Sequence, residues 1–173
     1  MGSASTKLHG RAAAAEFETL CRGYDSKTRA RQITAPEALA KRAAGERIVF
    51  LDVREQRERL VSCIPRSIWV EWTMASMVFG VNLDSAIAAL EAEPPGTTIV
   101  CACTAGLRSG WAANALAARL GDDSIVSLHG GIIAWANEGG EIVVPGTGEV
   151  TTRVHTYSKA WARFVNEESD AVY

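Results

Sequence analysis

From residue 31 onward the chain repeats one pattern: a short apolar run, a segment with helical spacing, then a turn residue. Arg31–Thr34 reads as a short strand. Ala35–Ala44 reads as a helix, with Thr34 as its cap, Pro36 in its first turn, Glu37 three residues after the cap and Gly45 as its stop. Arg47–Val53 is almost continuously apolar, as expected of a strand buried on both faces. Ser67–Val70 is a further short strand. Leu83–Glu91 is an Ala/Leu helix broken by Pro94-Pro95-Gly96. Thr98–Ala102 is a third apolar run, Ser109–Leu120 a helix closed by Gly121, and Ser124–Leu128 a strand. Gly130-Gly131 then leads into a short helix ending near Asn137. Parallel strands need long crossovers, so the alternation predicts an α/β fold. Its expected form is an open, mainly parallel five-stranded sheet with helices on its faces.

The 173 residues suffice for one domain with extensions. The expected division is an N-terminal extension over 1–30, the domain over 31–143 and a C-terminal tail over 144–173. Within the first, residues 12–22 predict a short helix with Phe17, Leu20 and Cys21 on one face, ended by Gly23. Within the tail, Trp161, Phe164 and Val165 have the i, i+3, i+4 spacing of a short helix docking its apolar face on the domain. Met1-Gly2-Ser3-Ala4-Ser5-Thr6 fits an N-myristoylation pattern, a low-ranked lipid anchor through Gly2. The acid-free stretch to Ala15 also has a faint transit-peptide character, and a plain flexible terminus is preferred over both readings.

Net charge is −2, from 18 basic and 20 acidic residues. That argues against a binder of the phosphate backbone, which would need a basic stripe. No apolar run approaches the ~18–20 residues of a membrane span. Cysteines stand at 21, 63, 101 and 103. On a strand, Cys101 and Cys103 would lie roughly 6.6 Å apart with parallel side chains, poor geometry for a disulfide. The expectation is reduced thiols in the cytoplasm, with a mitochondrial or Gly2-tethered location as alternatives.

One segment carries chemistry. The apolar run through Ala102 delivers Cys103 to a tight loop, Thr104-Ala105-Gly106-Leu107-Arg108-Ser109, which opens directly into a helix. Ligands of open parallel sheets bind where strands end. Free amides of such a loop form an anion nest, and together with the helix dipole and Arg108 they favour a thiolate. Gly106 suits a loop that needs positive φ or close backbone approach.

Cys103 to Ser109 matches C-x-x-G-x-R-S, Phe50-Leu51-Asp52-Val53-Arg54 an LDVR strand, and Leu128-His129-Gly130-Gly131-Ile132 with Trp135 an L-x-G-G-I-x-x-W stretch. Cys63-Ile64-Pro65-Arg66-Ser67-Ile68 is similar to G-H-I-P-G-A-I, with Ser62-Cys63 for Gly-His and Arg66 for Gly. In this order the four pieces resemble the single-domain rhodanese (sulfurtransferase) family, over about Arg31 to Ile142. The resemblance implies a rhodanese-like sheet and Cys103 as a catalytic persulfide carrier. The amides of Thr104, Ala105, Gly106, Leu107, Arg108 and Ser109 would cradle the substrate sulfur. It implies a small anionic sulfur donor such as thiosulfate, a thiol or cyanide acceptor, and no organic cofactor or metal. A related phosphatase family uses C-x5-R. Here Cys103 to Arg108 is C-x4-R, which suits a smaller sulfur centre. A rhodanese-like module used only for binding or regulation is the remaining alternative.

The other residues have plainer readings. Asp52 and Arg54 end a strand, where Asp52 is expected to bond amides or pair with a nearby Arg and tie the site from behind. Arg54–Arg59 alternates in sign and reads as a solvated helical face. Cys101 reads as packing ahead of a resolving thiol, Cys63 as packing or a thiol near the loop, and Cys21 has no identified partner. Trp69, Trp72 and Trp111 are core or pocket walls, with Trp111 the best placed for the second. Met74, Met77, Val78 and Phe79 read as a lid or satellite core. His129 reads as a turn residue, and neither His155 nor Tyr157 as a catalytic base.

Overall fold

The computed structural model of the chain describes residues 3–73 and 83–173, with residues 3–9 described by backbone alone. Met1, Gly2, Met74, Met77, Val78 and Phe79 lie outside the residues it describes. The elements in order are α1 (Ser3–Thr28), β1 (Gln32–Ile33), α2 (Ala35–Ala43), β2 (Ile48–Asp52), α3 (Gln56–Arg59) and β3 (Ile68–Trp69). After the undescribed residues come α4 (Asp84–Glu91), β4 (Thr98–Ala102), α5 (Leu107–Leu120), β5 (Val126–Leu128) and α6 (Gly131–Asn137). Then follow β6 (Arg153–His155), a 3₁₀ turn (Lys159–Phe164) and β7 (Asp170–Val172).

Five strands form one sheet in the order β1-β5-β4-β2-β3, and every pairing is parallel. The α/β expectation holds, and each crossover carries helix as parallel pairing requires. The capping box at α2 is formed: Thr34 Oγ1 accepts from the Glu37 amide and Glu37 accepts from the Thr34 amide. Strand periodicity divides the core. Val100 and Ala102 of β4 join Phe50, Leu128, Ile132 and Trp135 on one face of the sheet. Ile99 and Cys101, with Cys103 beyond the strand end, join Leu51, Leu116 and Ile125 on the other. Cys101 and Cys103 therefore share a face, although Cys103 has left the strand.

α1 is much longer than the helix predicted over residues 12–22. Gly23 does not end it. The left-handed terminator is Arg29, at φ 57, after Thr28. Tertiary contacts outweigh the ~1 kcal/mol helical cost of a glycine. Phe17 and Cys21 are buried in the core. Asn114 Nδ2 donates to the Thr28 carbonyl at 2.8 Å. A Cβ on Gly110 of α5 would fall within 2.7 Å of the Thr28 side chain, so the two helices cross closely there.

The C-terminal segment packs against α1. Phe164 is buried with its ring 5.1 Å from that of Phe17, and Trp161 lies 6.4 Å from Tyr24. Arg163 pairs with Glu16 across the same seam. β6 and β7 form a separate parallel pair. Among the described residues no helix is long and apolar enough to cross a membrane.

Candidate active site

β4 ends at Ala102, whose carbonyl accepts from the Val53 amide. Cys103 follows, and by Gly106 the chain has turned into the cap of α5. Gly106 has φ 109 and ψ −20, a conformation open to glycine and strained for side-chain-bearing residues. Its amide donates to Cys103 Sγ at 3.2 Å. Ser109 Oγ lies 3.4 Å from the same sulfur, 3.1 Å from the Gly106 carbonyl and 2.9 Å from Ser127 Oγ. A hydroxyl has one proton to give. Ser109 can therefore donate to the sulfur when Ser127, on β5, donates to Ser109. Behind the loop, the amides of Ile132 and Ile133 bond the carbonyls of Cys103 and Thr104. Gly131 has φ 56, and a Cβ there would run into the backbone of Cys103 and Thr104. The loop is thus pressed between α5 and the start of α6.

The side chains of Thr104 and Arg108 engage Glu58. Arg108 makes a two-pronged pair with Glu58, at 2.6 and 2.7 Å, and donates to Thr104 Oγ1 at 3.0 Å. Thr104 Oγ1 in turn donates to Glu58. The Glu58 side chain is fully buried and that of Arg108 nearly so. Burial opposes the Glu58 charge, but Arg108 and Thr104 outweigh it and hold the carboxyl below its usual range. Arg108 thus fixes the loop from its rim. The expected Arg partner of Asp52 is also present. Asp52 pairs with Arg54 at 2.8 Å and Arg59 at 3.0 Å. Arg54 also donates to the Ser62 carbonyl, and Arg59 to Ser67. This corrects the solvated face read over Arg54–Arg59. Arg54 and Glu58 are buried because each finds an opposite charge inside the fold.

Cys103 is only 2% exposed. Groups from α1 and from its own loop stand around it. Cys21 and Tyr24 of α1, together with Arg108, lie within electrostatic reach of its sulfur. Burial, aided by Asp25 and Glu18, pushes the Cys21 thiol up to about 12. Burial likewise raises Cys101, so both are held as neutral thiols. Cys63 is paired through its backbone with Val143. Trp111 lies under Lys27, Trp72 is buried, and Trp69 donates to the Arg54 carbonyl.

Glu58 and Ser127, which the sequence does not single out, hold the loop. Tyr157 places its ring centroid 5.2 Å from the Arg108 guanidinium and 5.3 Å from that of Arg57. His155 is buried, and its Nδ1 accepts from the Tyr157 amide at 3.0 Å. Burial, with Arg57, Arg54 and Arg108 nearby, keeps this imidazole below its ordinary range. His129 is more than a turn residue. Its Nδ1 is 2.6 Å from Asp25 and its Nε2 2.9 Å from Glu18, so it ties α1 to the segment that backs the loop. Burial works against its charge, but the two carboxylates prevail and raise its pKa.

The sequence profile of the rhodanese-like domain matches residues 35–138. Among solved structures, thiosulfate sulfurtransferase from Pseudomonas aeruginosa superposes with a TM-score of 0.53 at 22% identity, over 78% of this chain and 24% of that protein. The chain therefore spans about a quarter of that protein's length. A Rhodopseudomonas palustris protein described as a possible tyrosine phosphatase gives 0.48 at 24% identity, over 72% and 91%. A rhodanese-related protein from Thermoplasma volcanium gives 0.45 at 24% identity, over 66% and 98%. At these identities the likeness speaks to the fold alone. No curated protein matches the sequence.

Proposed function

Taking as premise that the chain belongs to the rhodanese-like domain family, we propose that it is a sulfurtransferase whose sulfur is carried on Cys103. The observation that supports this most directly is the Cys103 sulfur at a strand-to-helix junction, receiving the Gly106 amide at 3.2 Å. A thiolate there attacks the outer sulfur of an anionic donor such as thiosulfate. A bond forms between Cys103 Sγ and that sulfur. The donor's own S–S bond breaks, and its electron pair leaves with sulfite. A cyanide ion or a thiolate then attacks the terminal sulfur, and Cys103 leaves as thiolate. The two displacements balance with no external oxidant. The Gly106 amide and the free amides of the first turn of α5 are the donors suited to the anionic sulfur.

The six-residue span from Cys103 to Arg108 favours sulfur over phosphate, which a longer loop would suit. The near-complete burial of Cys103 instead favours a binding module without turnover. One experiment separates the three readings. The protein is mixed with thiosulfate, and the Cys103 peptide is examined by mass spectrometry for one added sulfur. Gain of sulfur, and its loss on adding cyanide, is the expected result. Absence of the adduct, or full thiosulfate:cyanide activity in Cys103→Ala, overturns the assignment. Turnover of an aryl phosphate without the adduct points to a phosphatase.

A further inference from the structure

We infer that Tyr157, outside the segment matched by the family profile, is a positioning residue for the Cys103 loop and acts through Arg108. This deepens the sulfur-transfer reading and rests on it.

Tyr157 has φ 68, a left-handed conformation that a bulky residue holds only where its surroundings impose it. Its amide is bonded to His155 Nδ1, the Thr156 amide to the Val172 carbonyl and the Ser158 amide to the Thr156 carbonyl. Trp161 lies 6.2 Å from its ring. The enforced geometry sets the ring against Arg108, 5.2 Å from centroid to guanidinium carbon. Glu58 and Thr104 engage the N–H groups at the edge of Arg108, and those bonds lie in the guanidinium plane. An aromatic face replaces water for a desolvated cation through its quadrupole. The ring therefore shields the Arg108–Glu58 pair, which anchors Thr104 and the first turn of α5. That turn carries Ser109 toward the Cys103 sulfur.

The position also separates this role from plain stability. A left-handed site favours glycine, so Tyr157→Gly relieves backbone strain while removing the ring. Tyr157→Phe keeps the ring and the strain. Tyr157→Leu keeps apolar bulk without the aromatic face.

The test measures sulfur loading of Cys103 by thiosulfate in the full chain, with melting temperature alongside. Tyr157→Phe is expected within about twofold of the parent. Tyr157→Leu and Tyr157→Gly are expected to load at least about fivefold more slowly at saturating thiosulfate, with KM within about twofold. The melting temperature of Tyr157→Gly is expected near that of the parent. Iodoacetamide alkylation of Cys103 is read on the same proteins and needs no sulfur donor. It is expected to run faster in Tyr157→Leu and Tyr157→Gly, because the loosened rim exposes the thiol. Equal loss in Tyr157→Phe and Tyr157→Gly, a loss confined to KM, or unchanged loading overturns the proposal. If the parent loads no sulfur, the functional reading fails on its own. Alkylation then decides the positioning role, and equal rates in all four proteins overturn it.

Discussion

Replacing Glu58 with Gln tests the structural basis of the loop most directly. The substitution preserves shape and removes one charge from a pair whose side chains are 0% and 7% exposed. An amide cannot accept both prongs of the Arg108 guanidinium. Its NH2 end presents hydrogens where a donor, Arg108 Nη1 or Thr104 Oγ1, now stands. Removing one partner of a buried pair leaves the other charge uncompensated, at a cost of about 3–5 kcal/mol. Against a domain stability of about 5–15 kcal/mol this is a large loss. At about 2–4 °C per kcal/mol, the melting temperature should fall by about 6–20 °C. Scanning calorimetry at neutral pH, with reversibility checked, is the assay. The double variant Glu58→Met, Arg108→Met removes both charges and should recover most of the loss. A Glu58→Gln protein melting within about 2 °C of the parent would refute the reasoning. So would a double variant less stable than the single one, because it would deny that the lone Arg108 charge is the source of the damage.

Half-buried His129 and buried His155 should respond to pH with opposite signs. A His129 ring bonded to carboxylates through both nitrogens donates to both only when doubly protonated, and its folded pKa is raised. Its contribution is full below the unfolded value of about 6.5 and fades as pH rises through the folded pKa. His129→Gln should cost about 1 kcal/mol at pH 5.5, since Glu18 is half exposed, and markedly less at pH 9. A pH-independent difference in denaturant midpoint would contradict this. His155 is lowered by burial, so its contribution is full above about pH 6.5 and fades as pH falls through its folded pKa. Acidification should therefore release the Tyr157 amide first. Amide exchange at Tyr157, followed by NMR from pH 7 to 5, should accelerate ahead of the core strands. Exchange that slows or stays flat would show that Nδ1 is not the group being protonated.

Local rules were enough for most of the sheet. The apolar runs, the Thr34–Glu37 box and the stops at Gly45 and Gly121 all appear where spacing put them. The Cys103 loop was readable for the same reason, because a strand end, a glycine and a helix start are neighbours in sequence. The groups that hold the loop were not. Glu58 sits in a six-residue run of alternating charge that looks like any solvated face, and its partner Arg108 is fifty residues away. His129 meets carboxylates more than a hundred residues distant. The extent of α1 was misread because Gly23 has a stop signal's identity without a stop signal's geometry. Side-chain packing against α5 and the C-terminal 3₁₀ turn decides that helix, and no local window contains it. Arg66 shows the converse. It holds φ 61 at the place where the resembled motif has glycine.

The seam between α1 and the C-terminal segment has a consequence for the order in which the molecule matures. Glu16 and Arg163, like Phe17 and Phe164, stand 147 residues apart. Contacts of such separation close late, after the local βαβ units have formed. A nascent chain that has emerged only through α6 has its sheet and its Cys103 loop but no Phe164 against Phe17 and no ring beside Arg108. Until the downstream segment arrives, the apolar side of α1 faces solvent as a sticky, protease-sensitive flank. Only when translation has passed residue 164 are Phe17 and Glu16 met by Phe164 and Arg163, with the Tyr157 ring already beside Arg108.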